Sequence, residues 1–189
     1  SHDPEWAVAI KFPPKSVVTK LNDIIWKLGK TGEFTPIGLL EPVKLDGSTI
    51  KKVSLYNAGY VVNRLYKGAV VVIAKSGDII PQIIQIDDAG DSTQPFNTPT
   101  QCPHCYSDLK FDGTHLICDN ECCIGRYYMI FEKSAIILEV DGVGPAMLQE
   151  FWDAGYNSPI DLLDNSIFNK EELLNRGMKD GRNLEKVLD

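Results

Sequence analysis

A chain of 189 residues with 43% hydrophobic and 24% charged residues has the balance of ordinary globular protein and room for one domain or several small ones. No apolar run approaches the ~20 residues that span a bilayer, and Ser1-His2-Asp3-Pro4 has neither the basic flank nor the apolar stretch of a signal peptide, so a cytoplasmic protein without a membrane partner is expected. A formal net charge of −7 excludes a uniformly basic polyanion binder, and the acidity is lopsided: residues 1–95 carry 11 Lys/Arg against 10 Asp/Glu, residues 96–189 carry 8 against 16.

From Trp6 to Ile86 the pattern is mostly that of strands, with β-branched and apolar runs at Val17-Val18, Ile24-Ile25-Trp26, Val70-Val71-Val72-Ile73 and Ile79-Ile80 punctuated by glycine and proline. Residues 57–66 interrupt it with apolar groups at Val61, Val62 and Leu65 and Gly68 beyond, the signature of a short helix. About five strands with one helix between the third and fourth predict a five-stranded Greek-key barrel of the oligonucleotide-binding (OB) type. Residues 87–95 are acidic and turn-rich with no apolar period, and read as a linker.

All five cysteines lie between Cys102 and Cys123, which favours a local metal site over a disulfide framework. Cys102 and Cys105 form one close pair, and twelve residues later Cys118 with Cys122 or Cys123 forms a second, the spacing of a structural zinc site. Spacing alone permits either Cys122 or Cys123. Asp112-Gly113 supplies a turn midway, and His104 and His115 read as solvated loop histidines. A filled four-thiolate shell leaves no open position, so the zinc is expected to be structural.

After about Tyr128 the period turns helical. From Met129, Phe131, Ala135, Ile136 and Leu138 lead into the turn Asp141-Gly142-Val143-Gly144-Pro145 and a second amphipathic stretch over residues 146–151. Residues 175–182 resemble a degenerate second turn before a helix over residues 183–188. The fold class is therefore multidomain, β then α: barrel, small zinc finger, and helical hairpins. A tight glycine turn at a helix start exposes backbone N–H groups that can hold a phosphate without a side-chain charge; without a ligand such a turn is an ordinary packing corner.

Several segments together resemble one family. Trp6-Ala7-Val8-Ala9-Ile10-Lys11-Phe12-Pro13 resembles the last nucleotidyltransferase motif of NAD-dependent DNA ligases, and Leu28-Gly29-Lys30-Thr31-Gly32-Glu33-Phe34-Thr35-Pro36 resembles the opening of their OB domain. The likeness continues through Leu40-Glu41-Pro42-Val43, Ser54-Leu55-Tyr56-Asn57 and residues 75–83, then through the cysteines and Val140-Asp141-Gly142-Val143-Gly144, in the family's order of barrel, zinc finger and helix-hairpin-helix. The divisions implied are 1–14 (end of the nucleotidyltransferase), 15–95 (OB domain), 96–130 (zinc finger) and 131–189 (helix-hairpin-helix, incomplete).

The resemblance implies zinc ligation by Cys102, Cys105, Cys118 and Cys123, since the family's fourth ligand falls five residues after its third. It implies that Lys11 meets the adenylate phosphate, where a fixed ammonium offsets charge during displacement; on residue chemistry alone Lys11 is a solvated lysine at a strand end. DNA contacts are implied at Lys30, Thr31, Lys75, Gly142 and Gly144, with Lys30 and Lys75 standing where arginine is usual and so lacking the bidentate fork. Glu5, Tyr56 and Ala69 also depart from the family's pattern. NAD and Mg²⁺ are the cofactors implied for a complete enzyme, and nicked double-stranded DNA and the adenylation part of the ligase are its partners.

The family's nucleophilic lysine lies in Lys-x-Asp-Gly. Here Lys44-Leu45-Asp46-Gly47 has those letters, but inside the barrel where a hairpin turn is expected. The chain is therefore expected to be inactive alone, as an excised fragment or as one subunit of a divided ligase. The competing expectation is a non-enzymatic OB-fold and zinc-finger module that binds DNA in repair or replication.

Overall fold

The computed structural model describes residues 14–62, 64–76, 80–138, 143–162 and 171. The expectations at residues 1–13, including Lys11, at Ile79, at Gly142, for the second turn over 175–182 and for the helix over 183–188 lie outside these residues. The described residues form two compact units: one comprises residues up to 27 with 35–98 and 112–115, the other 28–34, 99–111 and residues from 116 onward.

The first unit is a closed five-stranded barrel. Its strands are β1 (Ser16–Leu28), β2 (Glu33–Leu45), β3 (Ser48–Ser54), β4 (Val70–Ser76) and β5 (Ile80–Asp88), in the order β1-β4-β5-β3-β2, with β1 and β2 also paired. β1 with β4, β2 with β3 and β4 with β5 pair antiparallel, and β3 meets β5 in parallel at Ser54 and Gln82. Alternating apolar side chains point inward because strand side chains have period two: Leu21, Leu40, Val53, Leu55, Val71, Ile73 and Ile83 are buried in one cluster. Gly38 is part of this packing, since a Cβ there would stand 2.7 Å from Leu21 Cδ1. The register of β2 against β3 shifts between Leu39 and Val43, where Pro42 has no N–H to give to a ladder, and the Glu41 carbonyl accepts a hydrogen bond from Thr19 Oγ1 at 2.8 Å.

The β2–β3 connection has only two residues. Leu45 pairs with Ser48, and Asp46 and Gly47 both take positive φ, 46° and 74°, as a type I′ turn requires. Lys44 is exposed on the strand opposite Thr49. The expected hairpin is thus formed by the Lys-x-Asp-Gly letters.

Between β3 and β4 lies α1 (Ala58–Val62), capped by Asn57, whose Oδ1 accepts the Tyr60 N–H at 2.9 Å. The helix is shorter than residues 57–66; Gly68 serves the following turn at φ 89°. The segment expected as a linker is folded onto the barrel. Asp87 and Asp88 end β5, the Ala89 carbonyl accepts the Tyr66 N–H at 2.8 Å, and the Gln94 carbonyl accepts the Lys67 N–H at 2.9 Å. The physical reason is local hydrogen bonding that composition does not show: Asp88 and Asp91 carboxylates accept the Gly90 and Thr93 N–H groups.

In the second unit Glu33 and Phe34 pair with β7 (Leu116–Ile117), which pairs with β6 (Lys110–Phe111). Helix α2 (Ile124–Ile137) begins five residues before the expected Met129, because Cys123 leads straight from the cysteine segment into its first turn. Helix α3 (Pro145–Asp153) follows, with Phe131, Ala135, Met147, Leu148, Phe151 and Tyr156 in a shared core. A short 3-10 turn (Pro159–Leu162) comes next. Among the described residues no helix is long and apolar enough to cross a membrane.

Candidate functional site

The cysteine segment is two turns whose backbones are held from within. In the first, the Cys102 N–H donates to the Ser107 carbonyl at 2.9 Å and the Tyr106 N–H to the Cys102 carbonyl at 2.8 Å, with Tyr106 at φ 59°. In the second, Asn120 organises the loop: its Oδ1 accepts the Cys122 N–H at 2.9 Å and its carbonyl accepts the Cys123 N–H at 3.1 Å. Asn120 Nδ2 donates to Ser107 Oγ at 2.9 Å and so ties the two turns together.

These turns bring the sulfurs of Cys102, Cys105, Cys118 and Cys123 within 4.8 Å of one another. Cys102 and Cys123 are 3.8 Å apart, Cys105 and Cys118 3.6 Å. Sulfurs ~2.3 Å from a central ion at tetrahedral angles stand about 3.8 Å apart, so donor set and spacing both suit zinc. Cys122 is exposed and lies outside the cluster. Hydrogen bonding with Ser107 holds the Cys105 thiol down at about 6. Burial pushes Cys118 up to about 12 and raises Cys123. A dication supplies the charge that lets such buried sulfurs stand together as thiolates.

The turn bearing Lys30 and Thr31 is attached to this cluster. Both residues are exposed. The Gly29 N–H donates to the Glu33 carbonyl at 2.8 Å, and the Gly32 carbonyl accepts the Cys118 N–H at 2.8 Å. Gly32 is at φ 89°, and a Cβ there would lie 2.3 Å from the Cys118 carbonyl oxygen, so only glycine fits.

Sequence reasoning placed this turn with the barrel; the structure groups residues 28–34 with the cysteines. It also missed Gly32, Asn120 and Gly125. A Cβ on Gly125 would meet the His104 ring at 2.5 Å, so this exposed histidine packs against the start of α2 rather than being wholly solvated. The legible signal was asparagine, a strong turn former, between Cys118 and Cys123.

The other proposed contacts are separate features. Lys75, on β4 in the barrel unit, reaches Ser48 Oγ at 3.2 Å. Gly144 is the N-cap of α3 at φ −89°, followed by Pro145 at the first helical position, and a Cβ on it would meet nothing within 4 Å. Tyr56, one of the family departures, donates its phenol to the Ile83 carbonyl at 3.0 Å, and Ala69 is fully buried in the barrel.

A closed barrel of OB type joined in one chain to a four-cysteine cluster and packed helices defines a multidomain OB-fold protein. Residues 18–94 match the NAD-dependent DNA ligase OB-fold domain family. The DNA ligase of Heliobacterium modesticaldum is 35% identical over 189 residues, covering 96% of this chain and 28% of that protein. That of Macrococcus caseolyticus is 34% identical over 194 residues, covering 98% and 29%, and that of Limosilactobacillus fermentum 36% over 159 residues, covering 80% and 23%. The chain thus spans less than a third of the length of these curated relatives. The OB-domain match and these relatives, which together cover most of the chain, support a carboxy-terminal part of an NAD-dependent DNA ligase.

Gly32→Ala is expected to destabilise the cysteine unit by about 1–3 kcal/mol, since it adds left-handed strain and a clash with the Cys118 carbonyl. Thermal melts read by the tryptophans would show this as a lowered transition; an unchanged melt would mean the turn is not tied to the second knuckle as described.

Proposed function

We propose that this chain grips nicked duplex DNA as part of an NAD-dependent ligase and assists AMP transfer and bond formation at the nick, in replication and repair in the cytoplasm. The observation that carries this reading is the hydrogen bond from Cys118 to Gly32. It fixes an exposed Lys30-Thr31 turn, the family's DNA-contacting segment by resemblance, to a cysteine cluster suited to zinc. Cys102, Cys105, Cys118 and Cys123 would hold structural zinc, whose chemistry here is to draw four thiolates, three of them buried, into one rigid tetrahedron.

Lys30, Thr31 and Lys75 would meet the DNA backbone as point charges and hydrogen-bond donors. Gly142 and Gly144 would present backbone N–H groups to a phosphate at the start of α3, which lets a chain with an acidic second half approach a polyanion. Lys11 would offset charge on the adenylate phosphate during displacement. In the complete enzyme NAD supplies the AMP, and magnesium, when bound, offsets phosphate charge. The nucleophilic lysine would come from the adenylation part of the ligase, because Lys44 is exposed on a strand beside a two-residue turn rather than activated in a site.

Cys122→Ser should retain zinc, whereas serine at Cys102, Cys105, Cys118 or Cys123 should lose it. Metal analysis of the purified variants decides this, and loss in Cys122→Ser with retention in Cys123→Ser would reverse the ligand assignment.

Residues 1–189, incubated with labelled NAD, should acquire no AMP. Mass spectrometry that found adenylated Lys44 would make Lys44–Gly47 a true nucleophile motif and overturn the division of labour proposed.

Supplied with a fragment carrying the adenylated lysine, the chain should seal nicks. Lys11→Ala should slow AMP transfer by on the order of 10²-fold with DNA binding kept. Gly144→Asp should weaken DNA binding without unfolding α3, since position 144 has open space and aspartate is a good N-cap. Equal, mild effects of both variants in nick-binding titrations and sealing rates would favour a DNA-binding module without chemistry.

A further inference from the structure

Within the barrel unit, Asn57, Gly59, Tyr60, Arg64, Gly113 and Thr114 line an open cavity of about 320 Å³. In a chain of net charge −7 this lining holds one cation and no carboxylate. The Arg64 guanidinium lies over the Tyr60 ring, 5.5 Å from its centroid, and among the described residues it makes no ion pair.

That cation is braced through a relay of aromatic contacts. The Tyr56 hydroxyl is fixed to the Ile83 carbonyl of β5 at 3.0 Å, and the Tyr56 ring meets the Tyr60 ring edge-on with centroids 5.1 Å apart. Tyr56 holds this position at φ 61°, a left-handed conformation that is strained for a tyrosine and persists only where the surroundings enforce it. The cavity's other wall is equally fixed. The Gly59 N–H donates to the Thr114 carbonyl at 2.8 Å, and a Cβ on Gly59 would stand 2.4 Å from the Gly113 carbonyl oxygen. The nearby Asp112 carboxylate is occupied, accepting the Thr114 and His115 N–H groups at 2.8 and 2.7 Å.

A guanidinium stacked on an aromatic face keeps its N–H edge free for a bidentate partner, and a planar fork of donors matches a phosphate or carboxylate. Asn57 Oδ1 accepts the Tyr60 N–H, which leaves its Nδ2 amide as a donor. The hydroxyls of Tyr60 and Thr114 complete a lining of neutral donors around one cation. Burial raises the Tyr60 phenol above its ordinary value, so it stays protonated at neutral pH. Phosphate is favoured over carboxylate because the lining carries several donors and a phosphate has more than two oxygens to accept them.

We propose that this cavity is a phosphate-binding subsite, with Arg64 as its cation and Asn57, Tyr60 and Thr114 as its neutral donors, and that it takes a backbone phosphate of the bound DNA. The identity of the phosphate's source rests on the ligase reading; the site itself rests on the cavity.

Two titrations of the 189-residue chain test the two parts. With inorganic phosphate followed by amide NMR, Gly113 and Thr114 should shift in the wild type, less in Arg64→Lys, and not in Arg64→Gln, whose thermal melt should match the wild type because Arg64 is exposed. With nicked duplex over a salt series, Arg64→Gln should flatten the slope of log K against log salt by about 0.9 and weaken binding about fivefold near 0.1 M salt. Phosphate shifts that are missing in the wild type or that persist in Arg64→Gln overturn the subsite. Shifts that need Arg64 alongside an unchanged salt slope overturn the DNA source and assign the site to a small phosphorylated molecule. Wild-type chain that fails to bind nicked duplex at all counts against the ligase reading, while the phosphate titration still decides the subsite.

Discussion

Four sulfurs cannot be packed within 4.8 Å of one another unless two separate turns are each held at the right curvature. That constraint organises the second unit. It explains why both side-chain polar atoms of Asn120 go to the cysteine turns, why Tyr106 accepts a left-handed conformation, and why α2 starts directly after the last cysteine of the cluster. It reaches further through the backbone of Cys118, whose N–H fixes the Gly32 carbonyl and so the turn displaying Lys30 and Thr31. A metal site with no open coordination position can in this way shape a surface without touching a ligand.

The barrel solves a different problem. In a chain of net charge −7, two of the barrel's cations are held in place by neighbouring side chains. Lys75 is steered by Ser48, and Arg64 is carried on Tyr60, itself braced by Tyr56. Support of this kind matters more than total charge because a positioned donor loses less conformational entropy on contact than a free one.

Much of this was legible in the sequence because the relevant signals are local. Alternating β-branched runs mark the strands, Asp-Gly marks the two-residue turn, and paired thiols twelve residues apart mark the metal cluster. What could not be read is set by contacts between distant residues. Nothing local says that Gly32 lies against the Cys118 carbonyl, that Gly59 lies against Gly113, or that Tyr56 finds Ile83. The segment over 87–95 misled for a related reason: acidic turn residues look the same whether their side chains face water or cap neighbouring N–H groups, as Asp88 and Asp91 do. Sequence reasoning likewise kept residues 28–34 with the barrel, whereas the Cys118–Gly32 backbone bond and the pairing of Glu33 and Phe34 with β7 group that turn with the cysteines.

The tight turn at Asp46 and Gly47 also bears on how the barrel assembles. Pairing Leu45 with Ser48 closes the shortest possible loop, an event of microseconds, while pairing β1 with β4 must join Ser16 to Ala74 across most of the barrel's length. The entropy of closing a chain grows with its span, so the β2–β3 hairpin is the natural nucleus and the β1–β4 seam the late step. Kinetic φ-values near one at Lys44 and Thr49 and near zero at Val18 and Val72 would mark that order; the reverse pattern would exclude it. The same dipeptide that mimics a nucleophile motif would then have its role in folding, at the point from which the barrel closes.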